Sequence, residues 1–144
     1  MSITATRFHD FSYGHRVVGH ESCCAHLHGH NGRAHFTVRP LLALDSVGRV
    51  LDFSVINARL CEWLEAYWDH RMLIWEQDPW AIVLEKIDSH CALTTFNPTA
   101  ENMARYLGEV IGPEQLVGTN CVLCKVTIEE TRKCKATWKE EDYG

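Results

Sequence analysis

Polar and apolar residues alternate in long stretches toward both ends of the chain and recur at helical spacing between them. Ile3 to Tyr13 alternates loosely and carries Thr, Phe and Tyr, side chains that suit a pleated surface, so it predicts a strand. Val17 to His26, rich in Gly, His and Cys, reads as a loop. Leu27 to Leu44 resumes strand character, with Phe36, Val38 and Leu42 two or four apart. Asp45-Ser46-Val47-Gly48 reads as a turn, and Arg49 to Phe53 as extended chain. Asp52 or Ser54 can cap a helix over Val55 to Trp68, whose Ile56, Leu60, Trp63, Leu64 and Tyr67 share one face. Asp78-Pro79 opens a shorter helix from Trp80 to Ile87, and Ala92 to Asn97 is extended again. Thr99 reads as the N-cap of a helix over Ala100 to Ile111 that stops before Gly112-Pro113. Cys121 to Glu129 alternates as a strand, with Lys135 to Glu140 as its hairpin partner. Strand, strand, helices, strand, strand makes an α+β domain: an antiparallel sheet with helices on one face.

The 144 residues form one domain, 1–144, without internal repeat, linker or low-complexity segment, and suffice for a hydrophobic core. The composition, 46% hydrophobic and 23% charged, is that of a globular protein. A net charge of −5 and the lack of a basic run argue against a nucleic-acid partner. Met1 to Phe11 does not read as a signal peptide, and no apolar run reaches the roughly 18 residues of a membrane span. The expected setting is the cytoplasm. There the seven cysteines are thiols, most of them small buried hydrophobes.

The densest chemistry lies between His15 and His30, where five histidines fall within sixteen residues beside Cys23 and Cys24. Residues two apart on a strand point to the same side, so His28 and His30 converge, with Gly29 adding no bulk between them. Catalytic zinc usually takes three protein ligands and keeps one open position. On spacing alone the third ligand is His26, of the same parity, or a residue of a neighbouring strand, His15 above all. A thiol beside a bound cation has a lowered pKa and can act as base or nucleophile, which suits Cys23 or Cys24. Asp69-His70 suits a proton relay, although alone it reads rather as a histidine placed favourably at a helix end. Glu129-Glu130-Thr131 offers a carboxylate that can accept two hydrogen bonds from a planar amidine-like edge. Cys121 and Cys124 have CxxC spacing but lie on a strand, facing opposite ways, and read as packing residues.

In order along the chain, Phe11-Ser12-Tyr13-Gly14-His15-Arg16, Cys24-Ala25-His26-Leu27-His28-Gly29-His30-Asn31, Gly48-Arg49-Val50-Leu51-Asp52-Phe53, Asp69-His70, Pro98-Thr99-Ala100-Glu101-Asn102 and Glu130-Thr131 resemble the 6-pyruvoyltetrahydropterin synthase family. The branch making 6-carboxytetrahydropterin for queuosine looks closest. The resemblance covers almost the whole chain. It implies the tunnelling fold, ββααββ, assembled into rings, usually hexamers, with active sites between subunits. It implies His15, His28 and His30 as ligands of Zn2+, Cys24 as the proton-abstracting base, and Asp69 with His70 as the assisting relay. Glu130 and Thr99 would hold the pterin substrate. The implied reaction converts 7,8-dihydroneopterin triphosphate to 6-carboxy-5,6,7,8-tetrahydropterin, releasing acetaldehyde and triphosphate.

The chain departs from the family pattern at Ile74, where Asn is expected, at Trp138, where Tyr is expected, and in the long stretch from Trp75 to Asn97 with its extra helix. These positions bear on the pocket rim and on product identity. A sibling reaction ending at 6-pyruvoyltetrahydropterin, or cleavage of the neopterin side chain, would use the same residues. A metal-dependent hydrolase would not need Cys24. A non-catalytic pterin or metal binder would need neither the thiol nor the relay.

Overall fold

The computed structural model describes residues 3–141. A six-stranded sheet in the order β4-β3-β1-β2-β5-β6 carries helices on one side. Strand β1 (Ala5–His15) pairs antiparallel with β2 (His28–Pro40), β2 with β5 (Cys121–Thr131), and β5 with β6 (Cys134–Lys139). The α+β class and the antiparallel centre are therefore as the alternation predicts. Two further strands extend the sheet. The edge of β1 takes β3 (Arg71–Trp75) in parallel, and β3 takes β4 (Ala92–Thr94) in parallel. Helix α3 (Ala81–Ile87) is the crossover that parallel pairing requires. The stretch from Trp75 to Asn97 thus supplies a helix and an edge strand. Ile74, 1% exposed, is part of the packing of β3.

Helix-facing positions alternate along the strands as Phe11, Tyr13 and His15 on β1 and Ala34, Phe36 and Val38 on β2, all buried. Opposite them lies a first helical run: α1 (Phe53–Ile56), a wide π turn over Asn57–Cys61, and α2 (Glu62–Tyr67). Asp52 caps it, accepting from the Ser54 N–H. Ile56, Leu60 and Leu64 face the core, whereas Tyr67 is exposed and Trp63 sits at the core's edge. Residues 49–52 form no strand; they run into the Asp52 cap, and Phe53 already begins the helix.

The second helical run is longer than the glycine-proline signal predicts. Helix α4 (Ala100–Tyr106) passes through a π turn (Leu107–Ile111) into α5 (Gly112–Gln115). The wide turn, closed by the Gly112 N–H on the Leu107 carbonyl, lets the chain stay helical through Pro113. Glycine serves close approach here rather than termination. A Cβ on Gly112 would lie 2.7 Å from the Leu123 side chain, and one on Gly108 would collide with the Trp138 ring. Trp138 thus seals β6 against this helix. Cys121 and Cys124 donate to the Val50 and Thr37 carbonyls, as packing residues. All the described cysteines are free thiols.

Candidate metal centre and pterin site

The register of β1 on β2 builds the centre. His15 stands opposite His28, and Tyr13 opposite His30, all on the helix-facing side. Each of the three histidines offers a ring nitrogen within 4.8 Å of the others. The Nε2 atoms of His15 and His30 are 3.1 Å apart. His15 Nδ1 lies 2.6 Å from the Pro98 carbonyl, and His28 Nδ1 lies 2.8 Å from that of His26. A backbone carbonyl can only accept, so both Nδ1 atoms carry the proton and both Nε2 lone pairs point inward. Burial pushes His15 down to about 4, against the pull of the Pro98 carbonyl and with help from His28 and His30. It is therefore neutral at physiological pH, the state in which an imidazole can ligate a metal. Burial likewise lowers His30, opposed by the Glu130 charge. Three converging imidazoles, two of them with Nδ1 oriented by a backbone carbonyl, fit a divalent metal of the zinc type. His26 gives its carbonyl, not its ring, which settles the spacing ambiguity in favour of His15.

Glu130 reaches this centre. Its Oε1 is 3.7 Å from His15 Nε2 and accepts from the Tyr13 hydroxyl at 3.4 Å. Burial and the Glu130 charge raise the Tyr13 phenol, so it remains a donor. Gly32 makes room for that ring: a Cβ there would lie 2.8 Å from Tyr13 Cε1. Tyr13 is a site residue that sequence reasoning missed. Its signal was parity, two residues before His15 on one strand face.

Cys24 sits on a short 3-10 turn, Cys23–Ala25, in the loop between β1 and β2. The Cys24 carbonyl accepts from Val17 N–H at 2.8 Å. Burial raises its thiol, and Cys23 and the charges of Glu130 and Glu21 add to this. Asn97 ties the loop down from outside, accepting from Val18 N–H and donating to the Val18 carbonyl. Thr99 caps α4 through Asn102 N–H at 3.1 Å, directly after the Pro98 carbonyl that orients His15.

Asp69 and His70 form their own pair, with Asp69 Oδ2 2.8 Å from His70 Nδ1. Asp69 Oδ1 accepts from Ser12 N–H, and His70 N–H donates to the Ser12 carbonyl. Burial works against the Asp69 charge, but the bonds from Ser12 and His70 hold the carboxyl below the usual range. His70 adopts φ 59° and leaves its ring 78% exposed. Among the described hydrogen bonds, ion pairs and ring contacts, none joins this pair to the three histidines, Cys24 or Glu130. One chain thus assembles the histidines, Glu130 and Tyr13, while the Asp69-His70 pair points its ring into solvent.

Known proteins share the sequence and the fold. A protein of Rickettsia typhi named 6-carboxy-5,6,7,8-tetrahydropterin synthase is 31% identical over 139 residues, covering 92% of this chain and 96% of that protein. A namesake from Rickettsia bellii is 31% identical over 136 residues with the same coverage. Among solved structures, 6-pyruvoyl tetrahydropterin synthase of Caenorhabditis elegans superposes with a TM-score of 0.70 at 26% identity, covering 96% of each chain. A protein of Wolinella succinogenes shares the fold with a TM-score of 0.84 at 24% identity, over 96% of this chain and 98% of its own. The fold is the tunnelling fold. The sequence profile of 6-pyruvoyl tetrahydropterin synthase matches residues 4–141, and the chain belongs to that family.

Proposed function

We propose that this protein is a zinc-dependent carbon-carbon lyase that converts 7,8-dihydroneopterin triphosphate to 6-carboxy-5,6,7,8-tetrahydropterin, with release of acetaldehyde and triphosphate, in the synthesis of the queuosine precursor. The observation that carries this reading is the inward convergence of the His15, His28 and His30 nitrogens beside Glu130, in a chain whose relatives bear that enzyme's name. His15, His28 and His30 would hold the metal. When bound, it supplies Lewis-acid stabilisation of negative charge developing on a substrate oxygen.

The remaining work falls to side chains. Cys24, as thiolate, takes a proton from the substrate carbon framework. A cation next to the site would lower its pKa toward the working range. Glu130 has a partly exposed carboxylate, able to accept two N–H bonds from the pterin edge. Thr99, next in the chain to the Pro98 carbonyl that meets His15, orients the ring. His70, polarised by Asp69, returns protons. Because its ring faces solvent in one chain, it acts in the site of a neighbouring subunit of a homohexameric ring. No helix among the described residues is long and apolar enough to cross a membrane, compatible with a cytoplasmic enzyme.

The test is product analysis by mass spectrometry after incubating zinc-loaded protein with 7,8-dihydroneopterin triphosphate. Formation of 6-carboxytetrahydropterin and acetaldehyde is expected. A pyruvoyl product would move the enzyme to the sibling branch. Untouched substrate at full metal occupancy would overturn the lyase reading.

A further inference from the structure

We propose that Arg16, Asp78 and Trp80 form a clamp that positions the Cys24 thiol, so that the segment joining β3 to α3 controls the reactive loop without entering the site. The proposal rests on the reading of Cys24 as the reactive thiol. Arg16 immediately follows His15 at the end of β1. Its Nε donates to Asp78 Oδ2 at 2.7 Å and its Nη2 to Asp78 Oδ1 at 2.6 Å, a two-pronged grip. The Trp80 ring covers the guanidinium, with Cζ 3.4 Å from the ring centroid. The Asp78 side chain is 1% exposed and that of Arg16 10%. Asp78 is itself fixed, accepting from the Trp80 N–H at 2.8 Å.

A buried ion pair recovers little net stability over an apolar pair of similar volume, because both charges must be desolvated. Its use here is directional. The donor left over, Nη1, reaches the Ala25 carbonyl at 3.2 Å. Val17 N–H meanwhile holds the Cys24 carbonyl. The Cys24–Ala25 and Ala25–His26 peptide groups, directly after the Cys24 side chain, are therefore both pinned, the first through Val17 and the second through Arg16. The Arg16 hydrogen bond holds the Asp78 carboxyl below the usual range, against the effect of its burial. In this account Arg16, Asp78 and Trp80 are positioning residues.

The experiment measures iodoacetamide alkylation of Cys24 by peptide mass spectrometry across a pH series, in zinc-loaded full-length protein carrying Cys23→Ser. Exposed Cys134 is the internal reference, and zinc content and melting temperature are recorded alongside. Asp78→Ala is expected to speed Cys24 alkylation by roughly tenfold, the loss implied by freeing one charge-assisted hydrogen bond on the loop. Cys134 alkylation and zinc content should not change, and kcat should fall with little change in KM. Trp80→Ala should act in the same direction, and Trp80→Phe, which keeps a ring over the guanidinium, should stay near the parent rate. Unchanged Cys24 alkylation at a lowered melting temperature, in either alanine variant, would overturn the proposal and leave a pair that only stabilises the fold. If Asp78→Ala does not fold, Trp80→Ala and Trp80→Phe decide between these outcomes. Freed Cys24 in a protein whose parent does not turn over the pterin would sink the lyase reading while upholding the clamp.

Discussion

At the scale of single residues, His15 links protonation to both metal binding and stability. Its folded pKa of about 4 lies below the ordinary histidine value of roughly 6.5. Between those values the unfolded chain binds a proton that the folded chain refuses. Stability of the metal-free protein is therefore full above pH about 6.5 and falls on acidification toward 4, with a slope approaching ~1.4 kcal/mol per pH unit from this group. Urea midpoints of chelator-treated protein across that range test the sign, and a His15→Asn variant should flatten the profile. The same residue needs its outer partner. The Pro98 carbonyl fixes its tautomer, so a shift of that segment should weaken metal binding while leaving all three ligands present. Thr99 separates two roles. As an N-cap it contributes about 1 kcal/mol. Thr99→Ala should lower the melting temperature correspondingly, whereas Thr99→Ser should restore stability. An increase in KM that Thr99→Ser also reverses would mark the hydroxyl as a substrate contact.

At the scale of elements, the contact between α4–α5 and β6 depends on Gly108. Its hydrogen occupies the only space that the Trp138 ring leaves. Gly108→Ala is expected to destabilise by about 1–3 kcal/mol through overpacking, despite alanine's better helix propensity. Denaturant unfolding tests this, and the penalty should shrink in a Trp138→Leu background because the two side chains compete for one volume. Trp138 therefore has a structural account that the family pattern does not supply. The parallel β3-α3-β4 unit makes a similar point. Its strands are short, three to five residues, and β4 is an edge. Its more consequential product is the segment that places Asp78 and Trp80 on Arg16.

At the scale of the whole molecule, the sheet has one face under helices and one without. The uncovered face is mostly polar and internally paired, through Thr6 with Thr37, His35 with Glu129 and Arg33 with Asp10, around the exposed Phe8 ring. The separation of His70 from Cys24 within one chain yields a direct prediction. Cys24→Ser and His70→Asn proteins should each be inactive, but refolding them together should restore activity. If each site draws Cys24 and His70 from different subunits, random mixing in equal amounts makes about a quarter of the sites complete. Continued inactivity of mixed assemblies, confirmed as mixed by mass spectrometry, would place both residues in one subunit's site.

Side-chain periodicity by itself determined the central strands, both helical runs and the shared face of His28 and His30, because period and parity are local properties of the backbone. The ordered motifs determined the family. Tertiary structure alone decided the rest. Parity could not choose between His15 and His26, since the answer lay in which strand pairs with β2 and in what register. Nothing local showed that Tyr13 would meet Glu130, 117 residues away, or that the Pro98 carbonyl would orient His15. Residues 71–75 lacked a readable strand signal because a short strand is stabilised by its neighbours rather than by its own period. Gly112-Pro113 reads as a stop, and a wide helical turn with a leucine pressed against the glycine overrides it. The Arg16–Asp78 pair, 62 residues apart, exists only because the loop and the β3–α3 segment converge on one side of the sheet.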